Sequence, residues 1–119
     1  MKTVYAFLAD GVEEVEALMV IDLLRRTKKL NVVTVSIKEE LMVEGSHNIK
    51  FFADKNIDEI DFEEGDCIFL PGGAVGTENL SKCEALTKEI INYNEKGKWL
   101  AAICAAPSIY GQLGLLKDK

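Results

Sequence analysis

Residues 98–107 read Lys98-Trp99-Leu100-Ala101-Ala102-Ile103-Cys104-Ala105-Ala106-Pro107. Lys98–Ile103 predicts a short strand. Ala105–Leu113 predicts a helix, with Pro107 in its first turn, where a missing N–H costs nothing. Cys104 therefore falls at a strand-to-helix turn. Such a turn holds a side chain tightly and thrusts it out of the sheet, which is the geometry of a nucleophile elbow. The small residues at 101, 102, 105 and 106 let the chain turn there without clashes. The following helix aims its N–H groups and partial positive charge at the sulfur, favouring thiolate and lowering the pKa. A buried structural cysteine is the competing reading, since free Cys is among the most buried residue types.

Working outward, Thr3–Ala9 is a continuous apolar run rich in β-branched and aromatic residues. It predicts a strand covered on both faces, as in parallel sheets. Asp10-Gly11 breaks it. Val12 to Lys28 predicts a helix, with three glutamates in its first turns and Arg25, Arg26, Lys28 and Lys29 at its end, matching the macrodipole. Asn31–Ile37 is a second strand. Leu41–Val43 and Ile49–Ala53 flank Gly45-Ser46-His47-Asn48 as a small hairpin or flap. Residues 54–65 are acidic and loop-like, with room for one helical turn. Asp66–Leu70 is a further buried strand, ended sharply by Pro71-Gly72-Gly73. Ser81–Lys96 predicts a second helix, with Ser81 and Glu84 as a capping box and Gly97 as its stop.

Strands alternating with helices imply right-handed crossovers and a mostly parallel sheet. Ligands in such sheets sit beyond the carboxyl ends of the strands. Three of those ends carry unusual residues: the segment after Ala9, the Pro-Gly-Gly after Leu70, and Cys104 after Ile103.

Composition narrows the function classes. The chain has 119 residues, 48% hydrophobic and 29% charged, an ordinary globular mix for one domain over 1–119. No apolar run approaches the roughly 18–20 residues of a membrane helix, and the N-terminus lacks a signal peptide, so a cytoplasmic protein is expected. Net charge is −6, spread as −3 over each half. A nucleic-acid or anionic-membrane partner would want the opposite sign. Three cysteines without a CxxC pair exclude a complete disulfide framework and a Cys-rich zinc site. With one histidine and no clustered ligands, no metal or other cofactor is expected.

Other candidates follow from the strand ends. Helical periodicity puts Val12, Met19, Val20 and Leu23 around Glu16. A carboxyl in an apolar arc is costly when charged, so its pKa rises and it can donate a hydrogen bond to a thiolate. Glu13 also falls between apolar positions, and periodicity does not choose between them. All three glutamates also read as solvated helix N-terminal charges. Gly72-Gly73 offers bare backbone N–H groups for an oxyanion, or simply a tight turn. Neither a phosphate loop nor a G-x-G-x-x-G fingerprint is present. His47 reads as a surface flap residue, Cys67 as core, and Cys83 as the start of a helix.

Together, Ala9-Asp10-Gly11-Val12-Glu13-Glu14-Val15-Glu16, Leu70-Pro71-Gly72-Gly73 and Ala101-Ala102-Ile103-Cys104-Ala105-Ala106-Pro107 resemble the ThiJ/PfpI superfamily, the DJ-one-like, Parkinsonism-associated family. The resemblance implies a flavodoxin-like three-layer α/β sandwich and a homodimer. It implies that Cys104 is a low-pKa, oxidation-sensitive thiol and Glu16 its protonated partner. Gly73 and the N–H of Ala105 become oxyanion donors, and Gly72 and His47 become substrate-facing. Family members continue beyond the equivalent of Lys119, which implies a fold incomplete at its C-terminus.

The functions implied are a cysteine-dependent lyase or hydrolase acting on small reactive carbonyls, of glyoxalase or deglycase type, or a thiamine-pathway protein. The alternatives are an oxidative-stress sensor or redox-regulated chaperone working through Cys104, and a peptidase or amidotransferase relative. Ala105-Ala106 weighs against the amidotransferase, which wants a Gly-flanked nucleophile.

Overall fold

The computed structural model describes residues 1–103 and 106–114. Strands β1 (Lys2–Leu8), β2 (Leu30–Ser36), β5 (Lys55–Asn56), β6 (Cys67–Leu70) and β7 (Trp99–Ala102) form one sheet in the order β5-β2-β1-β6-β7. Every neighbouring pair is parallel. The short strands β3 (Met42–Glu44) and β4 (Lys50–Phe52) pair antiparallel as a separate hairpin, the flap expected around Gly45–Asn48. Four helices accompany the sheet: α1 (Glu14–Arg26), α2 (Ala74–Ser81), α3 (Glu84–Glu95) and α4 (Pro107–Gln112).

Strand alternation explains the layers. Along β1 and just past it, Tyr5, Phe7 and Ala9 point to one face and pack with Leu80 of α2, Leu86, Ile90 and Tyr93 of α3, and Ile109 and Tyr110 of α4. Val4, Ala6 and Leu8 point to the other face and pack with Ala17 and Ile21 of α1. Both faces of β1 are thus covered, which is why its sequence is apolar without alternation. Each large side chain fully buried this way stabilises the fold by about 1.5–3 kcal/mol.

The handedness of crossovers fixes where helices go. From β1 the chain passes through α1 to β2 on one side, and from β6 through α2 and α3 to β7 on the other. Two crossovers leaving in opposite directions must lie on opposite faces. The point of divergence is between β1 and β6, and the carboxyl ends at such a point are where ligands bind in sheets of this kind.

Two expectations are corrected. The segment 74–81 is helix α2. Ser81 is the last residue of that helix, with its hydroxyl donating to the Glu78 carbonyl at 2.7 Å, and it does not stand at the N-cap position of the next one. The N-cap of α3 is Cys83, which makes no side-chain capping bond. Residues 54–65 hold the two-residue strand β5 and two 3-10 turns, Ile57–Glu59 and Phe62–Glu64. Pro107 opens α4 and Gly97 takes φ +71 just past α3, both as expected. Among the described residues no helix is long and apolar enough to cross a membrane.

Candidate functional site

The junction of the loops after β1 and β6 is built from backbone fitted against backbone. Gly73 has φ +102, and a Cβ there would stand 2.6 Å from the Gly11 carbonyl and 2.7 Å from the Glu13 nitrogen. Only glycine satisfies both the dihedral and the space. Gly76 in the first turn of α2 lies equally close, with an added Cβ 2.8 Å from Val12 Cα. The Glu13 N–H donates to the Gly72 carbonyl at 3.1 Å, locking the loop after β1 to the loop after β6. The Asp10 carboxylate accepts from Glu44 N–H at 3.0 Å and from Lys38 Nζ at 3.1 Å, and Asn79 Nδ2 donates to the Asp10 carbonyl at 2.8 Å.

The third strand end reaches the same place. Ile103 N–H donates to the Leu70 carbonyl at 3.2 Å, which ties the residue before Cys104 to the strand end that runs into Pro71-Gly72-Gly73. Cys104 and Ala105 themselves lie outside the described residues. Gly72 and Gly73 are at the mouth, and Gly73 is the N-cap of α2, whose first turn carries no side-chain cap.

Two glutamates of α1 divide the expected roles. Glu16 is half-buried with its Oε1 shielded from solvent. Its apolar arc is only partly internal: Val12 is buried, whereas Met19 is 53% and Leu23 is 56% exposed. Glu14, given no role by the sequence reading, is the buried one, at 2% exposure. Its Oε2 accepts from the backbone N–H of His47 at 2.8 Å and of Ile49 at 3.2 Å. Its Oε1 meets the Ser46 hydroxyl and His47 Nδ1, each at 3.2 Å. Burial opposes the charge. The N–H groups of Glu14 itself, Ile49 and His47, with the His47 ring, outweigh it and lower the pKa from 4.5 to about 2.

Gly45 completes this clamp, because a Cβ there would collide with the Glu14 carboxyl. Ser46 N–H donates to the Val12 carbonyl at 2.8 Å and Gly11 N–H to the Glu44 carbonyl at 2.9 Å. The flap is thus pinned to the loop that leads into α1, and His47 stands beside Glu13, with Nδ1 3.5 Å from Glu13 Oε2. Periodicity could not reveal Glu14, whose burial comes from a turn more than thirty residues away. The adjacent pair Gly45-Ser46, a space-making glycine and a hydroxyl, is the one local hint.

The DJ-1/PfpI family model matches residues 2–119. This chain belongs to the DJ-1/PfpI family. It is 38% identical over 113 residues to DJ-1 homolog A of Arabidopsis thaliana, covering 94% of this chain and 29% of that protein. It is 34% identical over 113 residues to a deglycase of Thermococcus kodakarensis, covering 93% and 65%. Among solved structures it is similar to oxidized DJ-1 of Toxoplasma gondii, with TM-score 0.93 and 36% identity over 99% of this chain and 64% of that one. The chain therefore spans less than a third of that Arabidopsis relative and under two thirds of the others. The family's flavodoxin-like arrangement, a mostly parallel sheet between helical layers, is the fold described above.

Proposed function

We propose that this chain carries the cysteine centre of a DJ-1/PfpI-type enzyme acting on small reactive carbonyls. The observation that carries the reading is the glycine-packed junction at the switch point, where the loops after β1 and β6 meet and Ile103 is hydrogen-bonded to the end of β6. The Cys104 thiolate attacks the carbonyl carbon and forms a C–S bond, while the carbonyl π electrons move onto oxygen. Glu16 supplies the proton that this oxygen takes up. The N–H groups of Gly73 and Ala105 steady the oxyanion before that transfer, helped by the uncapped N-terminus of α2. Gly72 and His47 border the approach of the substrate. The relative named a deglycase supports this class of chemistry.

Turnover of methylglyoxal tests the reading. The wild-type protein consumes it, and Cys104→Ser lowers the rate by at least about a thousandfold, the scale expected for loss of a nucleophile. Equal rates in the two proteins contradict the proposal. A second reading, an oxidation sensor, is favoured by the similarity to a DJ-1 structure described as oxidized. In it Cys104 is taken to sulfinic acid. A clean two-oxygen mass gain on Cys104 under peroxide, without methylglyoxal turnover, selects it.

The same reading places the protein in the cytoplasm, a reducing setting that keeps a thiol nucleophile available, and makes it a homodimer. The outer face of α1 leaves Val15 at 69%, Leu18 at 41% and Met19 at 53% exposure, with Ile49 beside them. An apolar patch on a small protein marks a contact surface. Sedimentation at micromolar concentration is expected to give twice the chain mass, and Leu18→Glu a monomer. A monomeric wild type contradicts the dimer.

A further inference from the structure

His47 is the chain's only histidine. Among the described residues its ring makes polar contacts only through Nδ1: Ser46 Oγ at 3.1 Å, Glu14 Oε1 at 3.2 Å and Glu13 Oε2 at 3.5 Å. Two carboxylate groups therefore face one ring nitrogen. An ionised carboxylate can only accept. A lone pair on Nδ1 would oppose both negative oxygens, whereas a proton there satisfies them. The Ser46 hydroxyl does not reverse this, because it can donate to Glu14 Oε1, 3.2 Å away.

Glu14 cannot swing away from the ring. Its second oxygen is held by the His47 and Ile49 backbone N–H groups, its side chain fills the space that Gly45 leaves, and it is buried. Glu13 is similarly tied, since its Oε1 caps α1 by accepting from Val15 N–H at 3.0 Å. The histidine side chain is 71% exposed, so the edge opposite Nδ1 faces solvent.

We infer that Glu14 is a positioning residue that holds neutral His47 in its Nδ1–H form and presents Nε2 to solvent as a proton acceptor beside the loop that leads into α1. A carboxylate behind an imidazole orients the ring and fixes its tautomer in the same way in other catalytic sites. The ligand class that fits Nε2 is an O–H or S–H donor. On the carbonyl reading above, on which this part rests, such donors are the hydroxyls of the hydrated aldehyde and of the hemithioacetal. When Nε2 takes the proton, the oxygen keeps the electron pair as alkoxide. The new imidazolium then faces Glu13 and Glu14.

The test is the nitrogen-15 spectrum of the imidazole in the whole protein near pH 8, where an ordinary histidine is neutral. The expected spectrum shows a protonated Nδ1 and an unprotonated Nε2. In Glu14→Gln the population is expected to move toward Nε2–H, the form a solvated imidazole prefers. An Nε2–H wild type overturns the inference, as does an unchanged spectrum in folded Glu14→Gln. If Glu14→Gln does not fold, the wild-type spectrum alone decides. Where the wild type turns over methylglyoxal, His47→Gln is expected to lower kcat about a hundredfold, the scale of one acid–base group, with KM nearly unchanged. An unchanged kcat overturns the acceptor role. A wild type without turnover fails the carbonyl reading, and the tautomer result then stands by itself.

Discussion

Cys67 opens β6, and Cys104 follows the last residues of the neighbouring strand β7. Cys67 lies at the amino end of the sheet, and in the sequence Cys104 comes two residues after the carboxyl end of β7. At the amino end, Cys67 borders a groove of about 500 Å³ walled mainly by Val4, Val20, Leu24, Phe69 and Trp99. There burial, and secondarily the charge of Asp66, push its thiol from 9.0 up to about 11. At the carboxyl end the walls are glycine backbone, loop hydrogen bonds and the N-terminus of α2. The difference follows from topology. Parallel strands joined by helices gather all the helix N-termini, with their positive dipole ends, at the carboxyl ends of the strands. The same side chain is an inert thiol at one end and a candidate nucleophile at the other.

The largest effect expected from breaking this contrast is structural. Gly73→Ala forces a residue with a side chain to φ +102 and drives its Cβ toward the Gly11 carbonyl and the Glu13 nitrogen. The expected loss of stability is about 1–3 kcal/mol, the scale of one strained backbone position. Urea unfolding measures it. A loss below about 0.5 kcal/mol, ordinary for a surface position, would mean that the mouth is no more constrained than the groove.

A smaller effect is expected from acid. Glu14 has a folded pKa below its unfolded value, so its stabilisation is complete above the unfolded pKa. In the window from pH 4.5 down to about 2 the unfolded state binds more protons, and the stabilisation is lost as pH falls. Glu14→Gln is expected to flatten the stability profile in that window and to leave the profile above it parallel to wild type. Identical acid profiles would remove Glu14 as the anchor of the flap.

Much of the fold is legible in the sequence because buried parallel strands advertise themselves. Thr3–Ala9, Asn31–Ile37 and Asp66–Leu70 are apolar runs that match β1, β2 and β6 to within about a residue, and α1 and α3 carry the charge and glycine signals of their ends. What is not legible depends on distant partners. Gly73 and Gly76, required by the close approach of Val12, weaken the helix signal of α2. Strand β5 exists through two register pairs with β2, Val35 with Lys55 and Ser36 with Asn56. The Ser81–Glu84 spacing imitates a capping box, but Ser81 belongs to the last turn of α2 and Cys83 takes the N-cap position of α3.

At the site, Glu16, Gly72, Gly73 and His47 can be picked out as candidates from motif positions. Glu14 cannot, because its own helix does not bury it: Val15, Leu18 and Met19 beside it are exposed. Its burial is decided by the turn at Gly45–Ile49. A periodicity argument sees one helix, and this carboxylate belongs to a contact between a helix and a hairpin.

The contrast between the two ends of the sheet is tested most directly by alkylating the native protein with iodoacetamide at pH 7 and following each cysteine by mass spectrometry. The thiolate is the reacting form. With the Cys67 thiol near pKa 11, Cys104 is expected to react at least about a hundredfold faster than Cys67. Equal rates at the two cysteines would contradict a reactive thiol at the carboxyl end of the sheet.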